Sequence, residues 1–498
     1  MNKFNNILVR SIVIFTVAAM VSTSCASSPS NPIISSDPNK VEVGEALNPA
    51  AMPTPLPTRP AYAPGQLVDY TAQTGDTLPA LAMRFNTSVE EIMSANPQIP
   101  NDATTMPPGM PMKMPIYFRA LWGSPLQIIP DHVFVNGPSS AGFNTAAFVA
   151  TQPGWLKDYR AYVSGDWRSG AELVDYVAVN YSISPRLLLA ILEYQGGALT
   201  QPEPPVKRNL LGLQRTFWDS HYLQLVLAAN VLNNGYYGWR NGSLIEFEDK
   251  DNILIRPDPW QNAGSVALQY YYSQMFTGAD FLHATGSDGL SLTYKTLFGN
   301  PWEGDINFIP GSLRQPDLSL PFPADQTWSY TGGPHTGWGT GEPFAAVDFA
   351  PPADETGCIP AKPENYATAV ADGLVVRSSI DGVALDLDKD GDERTGWVIY
   401  YLHLATNQRA TLGTDLKAGD KIGYPSCEGG RSTGTHVHIA RKYNGEWMVA
   451  DSAIPFTLSG WVAHNGSSPY LGTLTKGSST VIACECGDAY TSINANFP

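Results

Sequence analysis

Charge is scarce in this chain. Only 15 % of its 498 residues are Asp, Glu, Lys or Arg, well under the usual quarter. Bases are the rarer sign, 30 against 46 acids, for a formal charge of −16. Such a surface repels a phosphate backbone at long range, which excludes an ordinary nucleic-acid binder. A long apolar run is missing as well: the stretch Ser11 to Val21 is too short to span a bilayer comfortably. Cysteine is sparse, five in all. What the chain does have is apolar residues at 43 %, enough to build cores, so it is not a disordered protein. Glycine and proline, 45 and 41 of them, make turns and loops plentiful. At roughly 150 residues per domain the length suggests about three domains. Twelve Trp and 23 Tyr are many; aromatic faces suit glycans, although most such rings serve as core.

Residues 1–25 read as an export signal. Lys3 and Arg10 supply the positive end, Ser11 to Val21 the apolar stretch, and Ser22-Thr23-Ser24-Cys25-Ala26 a small-residue cleavage region. A Cys just after such a run resembles a bacterial lipoprotein cleavage site, with Cys25 the lipidated residue, although Ser22 stands where an apolar residue is expected. Ordinary secretion is the alternative. Either way the mature chain works outside the cytoplasm, lipid-anchored to the envelope or secreted. With Cys25 set aside, Cys358, Cys427, Cys484 and Cys486 are an even number in an oxidising place, which allows three pairings. Cys358 with Cys427 is preferred because both fall in one predicted domain. Cys484 and Cys486 suit a disulfide better than a metal, having no His nearby.

Residues 26–66 are rich in Ser, Pro and Ala and read as a spacer. In 67–117, Val68 to Leu78 gives a strand and a turn. Leu81 to Phe85 and Val89 to Met93 have helical spacing, and Pro108 to Pro115 returns as a strand. This βααβ order, with Gly75-Asp76-Thr77-Leu78 and Asn96, resembles a LysM domain. The resemblance implies binding to N-acetylglucosamine chains of peptidoglycan or chitin through the loops after Gly75 and Asn96. Residues 145–310 are predicted helical. Ser184-Pro185 opens one helix, with Leu187, Leu188, Ile191 and Leu192 as its buried stripe. A second helix is predicted from Tyr222 to Leu232, stopping near Asn234-Gly235. Ser184 to Gly197 resembles the catalytic helix of lysozyme-like lytic transglycosylases, which implies an all-α lysozyme-like domain. Those enzymes need a carboxylic acid to protonate the glycosidic oxygen, and the matching position is Gln195. Glu193, two residues away, faces another side of the helix. A non-catalytic helical domain is therefore expected.

Four of the eight His fall between 335 and 438. In Gly434-Thr435-His436-Val437-His438, residues i and i+2 of a strand share a face, so both His can meet one site. His335 lies in the Gly-rich loop Pro334 to Gly339, and Asp348 on a predicted strand, Ala345 to Ala350. His403 ends another strand, Trp397 to Leu404. Two His and one Asp suit a catalytic zinc that keeps a fourth position open for water, with two His left for acid–base work. At this point residues 325–465 resemble the lysostaphin-like zinc endopeptidases, which cleave peptide cross-links in bacterial cell walls. The resemblance implies a mainly antiparallel β peptidase domain, zinc ligands His335, Asp348 and His438, and catalytic histidines His403 and His436. The 13-residue gap from His335 to Asp348 is closer to the β-lytic branch. Residues 466–498 are expected as a C-terminal extension carrying the Cys pair.

Asp386, Asp388 and Asp390 before Gly391 resemble the start of a calcium loop. Trp397 stands where the bidentate Glu belongs, so an acidic hairpin turn competes with a Ca²⁺ site. Tyr443-Asn444-Gly445-Glu446 is a hairpin signal. The whole reads as an exported, multidomain cell-wall hydrolase whose partner is peptidoglycan, glycan at LysM and peptide at the zinc domain. The rival is a non-enzymatic wall-binding or regulatory scaffold, and a third reading adds glycan cleavage by the helical domain.

Overall fold

Side-chain caps set the two short helices of the N-terminal module. Thr77 accepts from the Ala80 N–H to open α1 (Leu78–Phe85), and Ser88 accepts from the Glu91 N–H to open α2 (Val89–Ala95). They lie between β1 (Gln66–Thr71) and β2 (Pro111–Ile116), an antiparallel pair, in the expected βααβ order. Asn96 closes α2. Its Nδ2 donates to the carbonyls of Ile92 (2.8 Å) and Lys113 (2.7 Å), and its Oδ1 accepts from the Lys113 N–H (2.8 Å). The computed structural model describes residues 61–495, apart from 208, 305–307, 354 and 356. The export signal, Cys25 and most of the spacer lie outside the described residues. Among those described, no helix is long and apolar enough to cross a membrane.

Among the described residues eight α-helices follow: α3 (Asp131–Phe134), α4 (Thr145–Ala150), α5 (Gly170–Tyr181), α6 (Pro185–Gly196), α7 (His221–Asn241), α8 (Ala263–Ser273), α9 (Gly278–Ala284) and α10 (Leu290–Phe298). The region is not purely α. Hairpins β3 (Arg160–Val163) with β4 (Asp166–Ser169), and β5 (Phe247–Glu248) with β6 (Leu254–Ile255), interrupt it. Ser164 and Gly165 take φ of 54° and 85°, the left-handed pair that a tight hairpin turn needs. Helix α6 begins at Pro185 and buries the predicted Leu187, Leu188, Ile191 and Leu192. Helix α7 departs from expectation. It runs through Asn234-Gly235 to Asn241 and is closed by Gly242 at φ 81°. Gly235 is there because α8 crosses it: a Cβ would stand 2.8 Å from the Ala267 Cα. Close packing, not a helix stop, explains that glycine.

The C-terminal half is antiparallel β. Its strands are β7 (Trp328–Thr336), β8 (Phe344–Ala350), β9 (Ala367–Thr368), β10 (Gly373–Ser379), β11 (Gly382–Asp386), β12 (Trp397–Leu402), β13 (Asp415–Leu416), β14 (Lys421–Gly423), β15 (Val437–Tyr443) and β16 (Glu446–Trp447). They continue with β17 (Thr457–Leu458), β18 (Trp461–Asn465), β19 (Gly472–Lys476), β20 (Ser479–Ile482) and β21 (Ser492–Ile493). Among the described residues the main sheet runs β13-β10-β11-β12-β15-β8-β7-β21, with β16 beside β15. Val347, Ile399, Tyr401, Val437 and Ile439 are fully buried in its core. The expected extension at 466–498 is, over its described residues 466–495, continuous with the sheets before it: β17 to β20 form one small sheet across the expected boundary, and β21 returns to edge the main sheet. Cys358 is bonded to Cys427, and Cys484 to Cys486.

A buried ionic centre joins the three regions. Arg240 of α7 pairs with Glu446 of β16 (2.9 Å) and Asp131 of α3 (3.2 Å), and its guanidinium donates to the Thr74 carbonyl of the LysM module. Gly75 abuts the same guanidinium. The two loops expected to meet glycan are therefore occupied by the chain itself. Thr74 exchanges hydrogen bonds with Ile309, Thr104 Oγ1 donates to the Leu313 carbonyl (2.6 Å), and Arg314 pairs with Asp102 (2.6 Å).

Lys442 of β15 lies in the same contact region, 2 % exposed. It donates to the Val179 carbonyl of α5 at 3.1 Å, and Trp447 lies 4.2 Å away. Burial pulls its ammonium down to about 7. The unfolded chain keeps that proton to about pH 10.4. Between those values the unfolded state binds more protons, so stability rises with pH by at most about 1.4 kcal/mol per unit; below pH 7 both states are charged and this contribution is flat. Urea midpoints at pH 7 and 9 are expected to rise less in Lys442→Met than in the parent chain. Equal rises would refute the buried-lysine account.

Candidate metal centre and its flanking histidines

One cross-strand row builds the site. Gly332 of β7, Asp348 of β8, His438 of β15 and Leu402 of β12 stand side by side in register. His335 is off that row, and the register of β7 slips between Gly332 and His335, the bulge that re-aims a side chain. Gly332 is required by proximity, since a Cβ there would lie 2.4 Å from Asp348 Oδ2. His436 precedes β15 and shares the face of His438, as the strand period demands. His403 follows β12 at φ 62°, an unusual left-handed conformation for a non-glycine residue.

Backbone carbonyls assign one proton on each imidazole. His335 Nδ1 lies 2.8 Å from the Gly333 oxygen, His403 Nδ1 2.8 Å from Glu428 O, and His436 Nδ1 2.8 Å from Gly434 O. His438 uses its other nitrogen, Nε2, toward Gly337 O at 3.2 Å. A carbonyl only accepts, so each of these nitrogens donates and the opposite one is left with a lone pair. In this assignment the lone pairs of His335 Nε2 and His438 Nδ1 face each other at 3.0 Å, each 3.3 Å from Asp348 Oδ1. That carboxylate oxygen is buried and accepts no hydrogen bond. Three acceptors without a proton between them repel one another unless a cation sits among them. Their spacing fits the edge of a tetrahedron of ligands about 2.0–2.1 Å from zinc, roughly 3.3 Å.

Burial would raise the Asp348 carboxyl, but the neighbouring imidazoles of His335 and His436 outweigh it and hold the group well below the carboxylate range, so the carboxyl is ionised. Burial, with His436 and His438 nearby, pushes His403 down to about 3, so it is a neutral acceptor at neutral pH. Burial lowers His438 as well. The rings of His403 and His436 are 4.5 Å apart, and His436 Nε2 lies 3.8 Å from Asp348 Oδ2. All five residues singled out from the sequence thus converge.

Other members were not singled out. Tyr470, from the segment expected as an extension, stacks on His335 at 4.1 Å. Its loop, between β18 and β19, is brought there by backbone hydrogen bonds with Gly333 and Pro334. The Glu428 carbonyl that orients His403 stands next to Cys427, whose bond to Cys358 ties this loop down. Asp386, Asp388 and Asp390 do cluster, yet their oxygens accept from the N–H groups of Asp388, Gly391, Asp390 and Asp392. This is the hydrogen bonding of an acidic turn between β11 and β12. Gln195 is likewise committed, donating to the Leu211 carbonyl and accepting from the Tyr271 hydroxyl at 2.7 Å. Glu193 accepts from the backbone of Leu199 and Thr200.

The LysM family profile matches residues 70–115, and the profile described as "LasA, N-terminal domain" matches 127–312. Protease LasA of Pseudomonas aeruginosa is 24 % identical over 346 residues, covering 65 % of this chain and 75 % of that protein. The beta-lytic metalloendopeptidase of Achromobacter lyticus is 30 % identical over 160 residues, 30 % of this chain and 39 % of that one. Among solved structures, the M23 metalloprotease pseudoalterin is 23 % identical with a TM-score of 0.29, covering 34 % of this chain and 96 % of that chain. The protein is a metalloendopeptidase. Its C-terminal region is similar to these peptidases, and it follows a LysM match and a match to the LasA N-terminal domain.

Proposed function

We propose that this chain is an exported zinc endopeptidase that cuts peptide cross-links of peptidoglycan. The observation that carries the metal is the buried triad of lone pairs on His335, Asp348 and His438, spaced as ligands of one ion. Bound there, zinc would supply Lewis acidity toward a peptide carbonyl and acidify water. The remaining chemistry falls to the chain. His403, neutral and oriented by Glu428, offers Nε2 to take a proton from water and pass it to the departing amine. His436, the more exposed of the two, is placed to stabilise the developing oxyanion by donating a hydrogen bond.

The peptidoglycan substrate and the export are inferred from the LysM match, from the relatives and from the signal-like residues 1–25. LysM would hold the enzyme near glycan and raise the local substrate concentration. Because residues 309–314 cover its two loops, glycan binding there requires that strap to part from Thr74 and Thr104. The helical region is read as non-catalytic, since Gln195 and Glu193 are committed to structural hydrogen bonds. Incubation with purified peptidoglycan decides between enzyme and scaffold. New amino termini, abolished by chelator and restored by zinc, are expected; no release in the presence of zinc would favour the scaffold.

A further inference from the structure

The aim of His438 depends on a carbonyl in a loop that cannot hold itself. Gly337, whose oxygen takes the Nε2–H of His438, begins the connection from β7 to β8, which also contains Gly339 and Gly341 at φ 85° and 83°. Its internal ties are few: Gly337 N–H to the Pro343 carbonyl (3.0 Å) and Thr336 Oγ1 to the Trp338 carbonyl (3.0 Å). A glycine-rich segment of this kind has many conformations available. Trp338 packs edge-on against Tyr400, and the hydrogen bonds to the backbone of the loop's far half come from helix α7, over a hundred residues earlier. Asn230 Oδ1 accepts from the Thr340 N–H (2.7 Å) and hydroxyl (3.1 Å), and Asn234 Oδ1 accepts from the Glu342 N–H (2.8 Å). The Asn230 amide donates back to the Val226 carbonyl (2.9 Å), which fixes the oxygen outward toward the loop.

The glycines fit the same contact. A Cβ at 339 would lie 2.5 Å from Asn230 Oδ1, and one at 341 would lie 2.2 Å from Asn234 Oδ1. Loop and helix are matched, with two amide oxygens spaced one helical turn apart reading two backbone N–H groups two residues apart. We propose that Asn230 and Asn234 are positioning residues of the metal centre: by holding the loop, they hold the Gly337 carbonyl that fixes the ring of His438. The helical region then completes the site and is not merely a spacer. This rests on the zinc reading above. Partners that orient a ligand in this way typically change metal affinity 10- to 100-fold.

The test uses the full chain and zinc alone, with affinity read by competition against a chromophoric chelator. Asn230→Ala/Asn234→Ala is expected to bind zinc about 10- to 100-fold more weakly, and to lower kcat with little change in KM. Asn234→Asp, which keeps an accepting oxygen, is expected to retain the parent affinity. Ser164→Ala removes a different contact between the same two regions, the 2.8 Å bond to Asp381, and is expected to leave zinc binding unchanged. Parent-like zinc affinity in the double variant, or an equal loss in Ser164→Ala, would overturn the proposal. If the double variant fails to fold, Asn234→Ala alone is compared with Asn234→Asp by the same readout. A parent chain that binds zinc yet leaves peptidoglycan intact would sink the proposed function, while the affinity comparison would still decide this one.

Discussion

His438→Ala is expected to yield a folded chain that keeps no zinc and releases no new amino termini from peptidoglycan, a loss of at least about a thousandfold. That factor corresponds to about 4 kcal/mol of transition-state stabilisation. The change removes one of three ligand atoms and leaves His335 Nε2 and Asp348 Oδ1, which are 3.3 Å apart. Two observations separate loss of metal from loss of fold. Without metal, His438 Nδ1 faces another lone pair at 3.0 Å, so in excess chelator the variant should unfold no earlier than the parent chain. Added zinc should stabilise only the parent, by the logarithm of its concentration over Kd. Gln195→Ala serves as the contrast and is expected to stay within about twofold of parent activity. A His438→Ala protein with appreciable chelator-sensitive activity would mean that the ion lies elsewhere.

Arg240→Met should cost about 3–5 kcal/mol of stability, the usual penalty for stranding a buried charge partner. Arg240 reaches Glu446 with two nitrogens (2.9 and 3.0 Å), Asp131 at 3.2 Å and the Tyr236 hydroxyl at 2.7 Å. Both carboxylates are almost wholly buried. Asp131 retains hydrogen bonds from Asn262 and the Gly264 N–H. Glu446 retains the hydrogen bond from the Tyr236 hydroxyl. Adding Glu446→Gln to Arg240→Met should therefore recover part of the loss. Urea unfolding measures both; a single-variant penalty under about 1 kcal/mol would show that the ionic centre is not what joins the regions.

Much of the site was legible because it obeys local rules. The two-residue strand period places His436 and His438 on one face without reference to anything distant. A lone acid on an apolar strand, Asp348, stands out against Val347 and Phe349. The misreadings share one cause, which is contact between residues far apart in sequence. Asn234-Gly235 is a reasonable helix stop until Ala267 is known to lie against it. Glu446, after a hairpin signal, looks like an ordinary surface acid until Arg240 arrives. Tyr470 belongs to the site only through the small sheet β17–β20. The hydrogen-bond acceptors that orient the imidazoles are backbone carbonyls, which carry no residue-type signal at all.

The bond between Thr74 and Ile309 spans 235 positions, and it sets an order of events during synthesis. The core of the LysM module is made mostly of neighbours in sequence, with Trp122 and Trp260 added from beyond residue 117, so most of it can condense early. Its outer loops cannot be finished then. Their amides and hydroxyls stay hydrated until a stretch translated almost two hundred codons later comes to lie across them. The first module to be born is thus the last to be sealed, and in a chain truncated before residue 309 the side of that face around Thr104 and Asp102 would stay open while Arg240 still reaches Thr74.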